Sequence, residues 1–321
     1  MKLLYLLNQR FPTEKAYGIQ VTNMVRAFER AGVDVELLVP TRKNPPQADP
    51  IKVRRVYAPD FYFPGSLDRL AFWMKNVISA LILSVVVLRS DTDIIYSRDE
   101  LPLYFLSFFK KNLVFEAHTF SKKRTFLYSR LTKIVAISHG LGEAFAPFGT
   151  VLVAHDGVDL EEFAGGPITH DGFVALYAGS DYPWKGVDVF RKASTMIPQV
   201  ACRIVSGLPH SEIPALLRSA DVLVLPHLDT PQSQSPLKLF EYMASGVPIV
   251  ASDLPSLREI LNETNAILVI PNDALALAEG IQNVLSDPRL ADIISQNAFE
   301  DVQKYSWQKR AVNIVTFIQL Q

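Results

Sequence analysis

Ser235-Pro-Leu-Lys-Leu-Phe-Glu-Tyr-Met-Ala-Ser-Gly-Val-Pro-Ile-Val-Ala-Ser252 is the stretch on which the reading of this chain turns. It predicts a helix that opens near Lys238, ends at Gly246 and passes at once into a buried strand, Pro248 to Ala251. Lys238 and Glu241 stand three residues apart at the start of that helix. A cation and an anion side by side at a helix N-terminus suit a ligand with phosphates at one end and hydroxyls at the other, such as a sugar nucleotide.

Outward from this stretch the same alternation recurs. Toward the N-terminus of the second half, strands are expected at Phe173–Gly179, Ala201–Val205 and Asp221–Leu225, with helices at Val187–Met196 and Ser211–Ser219 between them. Ser211 is the expected cap of the latter, with Pro214 in its first turn. The first half repeats the pattern. Lys2–Leu7 and Asp34–Val39 read as strands around a helix over Ile19–Ala31, and Gly18 falls in the loop before that helix. Short apolar strands follow at Asp93–Ser97, Asn112–Ala117, Ile134–Ser138 and Val151–Ala154. Strands separated by helices predict an α/β architecture with parallel, doubly wound sheets. Two such halves fit the length of 321 residues, and Gly165-Gly-Pro167 is the best linker candidate. The expected domains are residues 1–165 and 166–305, with a last helix over 306–321 crossing back to the first. Ligands bind at strand C-termini in open α/β sheets, which makes the cleft between the domains the expected site.

Composition limits the alternatives. Apolar residues make up 49% and charged residues 20%, which excludes a disordered chain. The single cysteine, Cys202, excludes an internal disulfide and fits a reducing compartment. Lys2–Leu7 is too short for a signal core, and the apolar run Val77–Leu88 falls short of the ~20 residues that span a bilayer, so a core helix and a cytoplasmic protein are expected. The formal net charge of −1 is uneven: residues 1–165 balance at +4 and residues 166–321 at −5. Lys110, Lys111, Lys122, Lys123, Arg124, Arg130 and Lys133 cluster late in the first half. They form a solvated basic face, or a peripheral contact through 110–133 with anionic lipid on the inner face of a membrane or with an acidic acceptor. No His/Cys group has zinc spacing, no Asp-x-Asp lies where a sugar-transfer metal is expected, and no phosphate-loop lysine motif is present, so neither a metal nor a cofactor is expected. Nucleic-acid binding has no support beyond the basic cluster.

Several residues carry chemistry by position alone. Lys185, just past a strand and followed by Gly186, can reach phosphates held over the next helix. Gly179 lets the backbone approach a ligand. Pro226-His227 follows a strand, which places His227 at the ligand-binding edge. His118, Arg98 and Asp99 also stand at strand ends, the last two as acceptor-side candidates.

The run 235–252, together with Gly179…Lys185-Gly186, resembles the donor-binding segment of retaining glycosyltransferases of the GT-B type, the glycogen-synthase-like family 4. The resemblance extends over nearly the whole chain: the Gly18 loop, His118, Ser138, Asp156-Gly-Val-Asp159 and Ser306-Trp307 all have counterparts in order. It implies two Rossmann-like domains and transfer, without a metal, of a hexose-type sugar from a UDP- or GDP-sugar to a glycan or lipid-linked hydroxyl acceptor. By that resemblance Lys185 and Lys238 neutralise the leaving diphosphate, Glu241 holds the ribose, and Gly18 and Gly179 lie against the donor; Ser235, by its hydroxyl and backbone N–H, and His227, by its place after a strand, are further donor-binding candidates. His118 stands near the transferred sugar, and Glu259 matches a family acid. The chain departs from the family in two places. Ser180 stands where an arginine often follows the glycine, and Ser233 stands where an earlier glutamate lies eight positions before Glu241. These departures keep two other readings open: a non-catalytic sugar-nucleotide-binding partner subunit, and a nucleotide-sugar epimerase of similar fold.

Overall fold

The computed structural model describes residues 1–13, 15–41, 51–110, 112–230 and 237–320. The chain divides into two compact units. The first comprises Met1–Ile137, Leu141–Ala154 and the residues from Arg310 on; the second comprises Ser138–Gly140 and His155–Lys309.

In the first unit, chain order runs β1 (Lys2–Leu6), α1 (Ala16–Arg30), β2 (Asp34–Thr41), β3 (Val53–Tyr57), α2 (Asp68–Leu88), β4 (Ile94–Ser97), α3 (Glu100–Leu106), β5 (Leu113–Ala117), α4 (Thr125–Tyr128), β6 (Lys133–Ala136), α5 (His139–Phe145) and β7 (Thr150–Val153). The seven strands form a parallel sheet in the order β3-β2-β1-β4-β5-β6-β7. Progress along the sheet reverses between β1 and β4, and the loops leaving those two strands flank the switch point where open α/β sheets bind ligands.

One expectation is corrected here. Gly18 lies inside α1 rather than in the loop before it, because the helix begins at Ala16. A Cβ at Gly18 would stand 2.2 Å from the Thr13 carbonyl oxygen, so the glycine is required by the close approach of the segment that leads into the helix. The apolar run ending at Leu88 belongs to the 21-residue α2, which is long and apolar enough to cross a membrane by length and composition. Its buried residues Ala71, Lys75, Ser79, Ala80, Leu83, Ser84 and Val87 recur at helical spacing. Leu83 and Val87 enter the core beside Leu4, Leu6 and Ile95, which is how a core helix uses an apolar stripe.

The second unit continues with β8 (Phe173–Ala178), α6 (Val187–Ser194), β9 (Val200–Val205), α7 (Ile213–Arg218), β10 (Val222–Leu225), α8 (Leu237–Ala244), β11 (Ile249–Ser252), α9 (Pro255–Arg258), β12 (Ile267–Val269), α10 (Ala274–Ser286) and α11 (Pro288–Val302). The last helix, α12 (Trp307–Gln319), passes into the first unit at Arg310. The five strands are parallel in the order β12-β11-β10-β8-β9. Alternate residues of each strand feed opposite layers. Val174, Leu176 and Ala178 of β8 pack with α8 and α11 residues, while Ala175 and Tyr177 pack with α6 and α10 residues. Burial on both faces explains why these strands read as continuous apolar runs. Ser211 is not the cap of α7: a 3-10 turn, His210–Glu212, precedes that helix, and no side chain caps it. Asp273 and Asp287 do cap α10 and α11.

Candidate functional site

The switch point of the second sheet lies between β8 and β10. β8 ends at Ala178, whose N–H donates to the Tyr242 hydroxyl at 2.8 Å. Gly179 follows with φ 144°, a region closed to side-chain-bearing residues. Its missing side chain leaves room for Lys238: a Cβ there would stand 2.3 Å from the Lys238 Nζ. Across the switch point, Gly186 with φ 66° packs directly on the loop after β10, where an added Cβ would stand 1.7 Å from the Pro226 carbonyl oxygen. The two loops therefore meet backbone against backbone.

Around this junction the structure brings together Gly179, Lys185, His227 and Lys238. The Lys238 ammonium is buried 3.9 Å from the centre of the Tyr177 ring and has no hydrogen-bond partner among the described residues. Burial first, and then Lys185, push its pKa well below the usual lysine range, against the pull of Glu241. Lys185 Nζ donates to Ser180 Oγ at 2.7 Å, and burial lowers its pKa as well. Thus Ser180, where the resembled family often has an arginine, positions a lysine. His227 is 2% exposed, and its Nδ1 makes no hydrogen bond among the described residues. Burial, Lys238 and Lys185 hold its pKa down to about 3, so the ring is neutral. Two lysines, a neutral imidazole and a bare glycine backbone at one strand edge are the makings of an anion site, and no carboxylate among the described residues hydrogen-bonds the Lys238 ammonium.

Glu241 lies on α8 one turn beyond Lys238. Its Oε1 is 2.9 Å from the His210 Nε2, and the other ring nitrogen of His210 is 3.8 Å from Glu162. The hydrogen bond to Glu241 is the main cause of a raised His210 pKa. His210 was absent from the sequence-based candidates. Its only signal was its place in the loop after a strand, the same signal that singled out His227. Ser235 and Ser233 lie outside the described residues.

The first-unit candidates gather around Glu116, which is fully buried on β5. Tyr5 Oη and Gln20 Nε2 each donate to its carboxylate at 2.7 Å, and so does Arg310 Nη2. His118 Nε2 stands 3.5 Å from the same carboxylate. Burial alone would raise the Glu116 pKa, but Arg310, His118 and Arg98 together hold it well below the usual range. Arg98 donates to Gln20 Oε1 at 3.0 Å. Asp99 spans the switch point of this sheet by accepting from the Asn8 N–H at 2.6 Å and Gln9 Nε2 at 2.9 Å. Its position is thus tied to holding the loop after β1.

Glu259 accepts from the backbone N–H groups of His139 at 2.7 Å and Gly140 at 3.2 Å. With His139 and His155 it forms the group of described residues whose geometry could hold a metal ion, since one ligand atom from each lies within 4.8 Å of the others. No zinc spacing is visible in the sequence because the three come from segments separated by up to 120 residues.

Residues 18–162 match the family described as Glycosyltransferase Family 4, and residues 197–301 match Glycosyl transferases group 1. The chain belongs to the family-4, group 1 type of glycosyltransferases. An uncharacterized glycosyltransferase of Methanocaldococcus jannaschii is 39% identical to this glycosyltransferase-family chain over 104 residues, 31% of the chain and 26% of the relative. A phosphatidyl-myo-inositol mannosyltransferase of Mycolicibacterium smegmatis is 28% identical over 192 residues, 50% of the chain and 49% of the relative. These alignments thus span half or less of the curated relatives' lengths. Among solved structures, a sucrose-phosphate synthase from Thermosynechococcus elongatus superposes with TM-score 0.81 at 18% identity, covering 98% of this chain and 97% of its own. Anabaena HepE in complex with UDP and glucose superposes with TM-score 0.75 at 19% identity over all of both chains. At such identity the likeness establishes the GT-B fold of the family member.

Proposed function

We propose that this chain moves a hexose-type sugar from a nucleoside-diphosphate sugar to a hydroxyl acceptor, with retention of configuration. The observation that carries this reading is the buried Lys238 ammonium, without a hydrogen-bond partner among the described residues, beside Lys185, neutral His227 and Gly179. A diphosphate arriving there restores charge balance to both lysines, and the same contacts strengthen as negative charge builds on the leaving group. Fixed ammonium groups can supply this stabilisation without a metal. Glu241, one helical turn on, is placed to accept from the two ribose hydroxyls once His210 yields. That HepE was solved with UDP and glucose, and in another structure with UDP-glucose, supports a UDP-sugar as the first donor to try. For the first unit we assign Arg98 and His118 to acceptor recognition, because both stand at strand ends beside the switch point of that sheet. Exposed Phe108, Phe109 and Phe126 accompany exposed Lys122, Lys123 and Arg124, and Arg130 lies 4.2 Å over the Phe108 ring. This combination suits a lipid-linked acceptor at an anionic bilayer surface.

The test is a thermal-shift and calorimetric panel of UDP-, GDP- and ADP-sugars. One donor class should bind the wild type, Glu241→Ala should mainly weaken that binding, and Lys185→Ala should mainly lower turnover. Donor binding with epimerised sugar as product and no acceptor consumed would make the chain an epimerase. No binding to any donor would refute the transferase reading in favour of a non-catalytic subunit.

A further inference from the structure

We propose that His139, His155 and Glu259 form a binding site for one divalent transition-metal ion of the zinc class. None of the three belongs to the phosphate-facing group, so the site stands or falls apart from the donor reading.

The geometry already has the scale of such a site. Nitrogen and oxygen ligands held about 2.1 Å from a tetrahedral ion lie roughly 3.4 Å from one another. His155 Nδ1 is 3.7 Å from Glu259 Oε2, and all three ligand atoms fall within 4.8 Å. Closing the remaining gap requires side-chain rotation rather than backbone movement. The two imidazoles meet edge to face, with ring centres 5.6 Å apart at 62°, which brings both rings to one point without stacking one over the other. His155 is further set by the Tyr305 ring, 5.8 Å away at 78°.

The surroundings supply what a metal site needs beyond its ligands. Two backbone N–H groups fix the Glu259 carboxylate, at 2.7 and 3.2 Å, and such second-layer bonds orient ligating groups. A carboxylate offers about four lone-pair directions, so two remain for a metal. Two imidazoles and one carboxylate are a borderline donor set, preferring zinc, cobalt or nickel over magnesium or calcium. His139 is exposed, which gives the ion a way in and leaves a fourth position for water. The three ligands come from segments far apart in the chain. An ion among them would therefore clip together the start of α5, the segment after β7 and the residue that follows α9.

The competing account is that His155 only pairs with Glu259 as an ion pair. Calorimetric titration of the chelator-treated full chain with Zn²⁺ separates the two. The expected result is one ion per chain, with His139→Ala and His155→Ala each weakening binding by at least about tenfold, the lower end of what loss of even an outer-layer contact costs. Cobalt(II) loading should give a ligand-field absorption band that both variants lose. Glu259→Gln is kept as a third variant and read only after circular dichroism shows it folded, because Glu259 also holds two backbone groups. Absence of Zn²⁺ binding, or binding that neither histidine variant weakens, would overturn the proposal.

Discussion

Replacing Gly179 by alanine tests the phosphate site by pure geometry. The added methyl would stand 2.3 Å from the Lys238 Nζ and 3.0 Å from its Cε. Contacts closer than 3.4 Å already force a neighbour to give way, so the ammonium must retreat by about 1.1 Å. It is the far end of a flexible side chain, so the overlap itself is relieved by rotation. Two effects remain. Holding alanine at φ 144° costs about 1–3 kcal/mol of stability. Moving the ammonium away from a bound diphosphate forfeits a charge-assisted hydrogen bond of about 1.5–3 kcal/mol, which is roughly a 10- to 150-fold loss of affinity. Calorimetry with UDP and GDP reads the second effect, and thermal unfolding without ligand reads the first. Lys238→Met provides the control: in that background Gly179→Ala should cause little further loss of affinity, because the group it displaces is gone. Wild-type affinity in Gly179→Ala, or full additivity of the two substitutions, would refute the placement of Lys238 on the diphosphate.

Lys238→Met should itself raise the thermal stability of the ligand-free protein by about 1–3 kcal/mol, since a buried donor with no hydrogen-bond partner among the described residues is a cost; a lower melting temperature would contradict this. His210 binds its proton more tightly in the folded state, so its pairing with Glu241 is fully present below pH 6.5 and lost as pH rises through the raised pKa. If ribose displaces His210, donor affinity should climb over that window, and His210→Ala should flatten the profile measured by calorimetry across pH, with Glu162 and Glu241 as the charges facing the ring. Arg310→Met should destabilise the first unit by about 3–5 kcal/mol in denaturant unfolding, because it leaves Glu116 buried without its main counter-charge. Glu116, whose pKa is depressed on folding, contributes stability present above 4.5 that is lost as pH falls through the folded value.

What could be read from the sequence was whatever has a local cause. Strands buried on both faces, such as Val222–Leu225, announce themselves as short apolar runs, and Gly179, Lys185 and Lys238 are placed by the strand or helix they adjoin. Gly18 falls outside the expected helix because α1 opens three residues earlier than its apolar spacing shows, at Ala16, and the constraint on the glycine is the carbonyl of Thr13 in the segment leading into the helix. Ser211 looked like a cap, but a 3-10 turn intervenes. The partners of Glu116 stand 111, 96 and 194 residues away, and His210 stands 31 residues from Glu241. Pairings over such separations leave no periodicity to find, and the three residues of the metal-site proposal are hidden for the same reason.

The place of Arg310 bears on how the protein is made. The strands of the first sheet are translated before the second unit, yet the guanidinium that neutralises buried Glu116 follows it by 194 residues, after the second unit has been made. Lys133, likewise, closes on the carbonyls of Phe317 and Ile318. At about 5–20 residues per second, the nascent first unit waits roughly 8–30 s between completing residue 154 and receiving Arg310. During that interval Glu116 lacks its main counter-charge, so the first sheet is completed only after the second unit has been made. Premature termination before residue 310 would therefore damage the N-terminal sheet as well as remove the C-terminal helix.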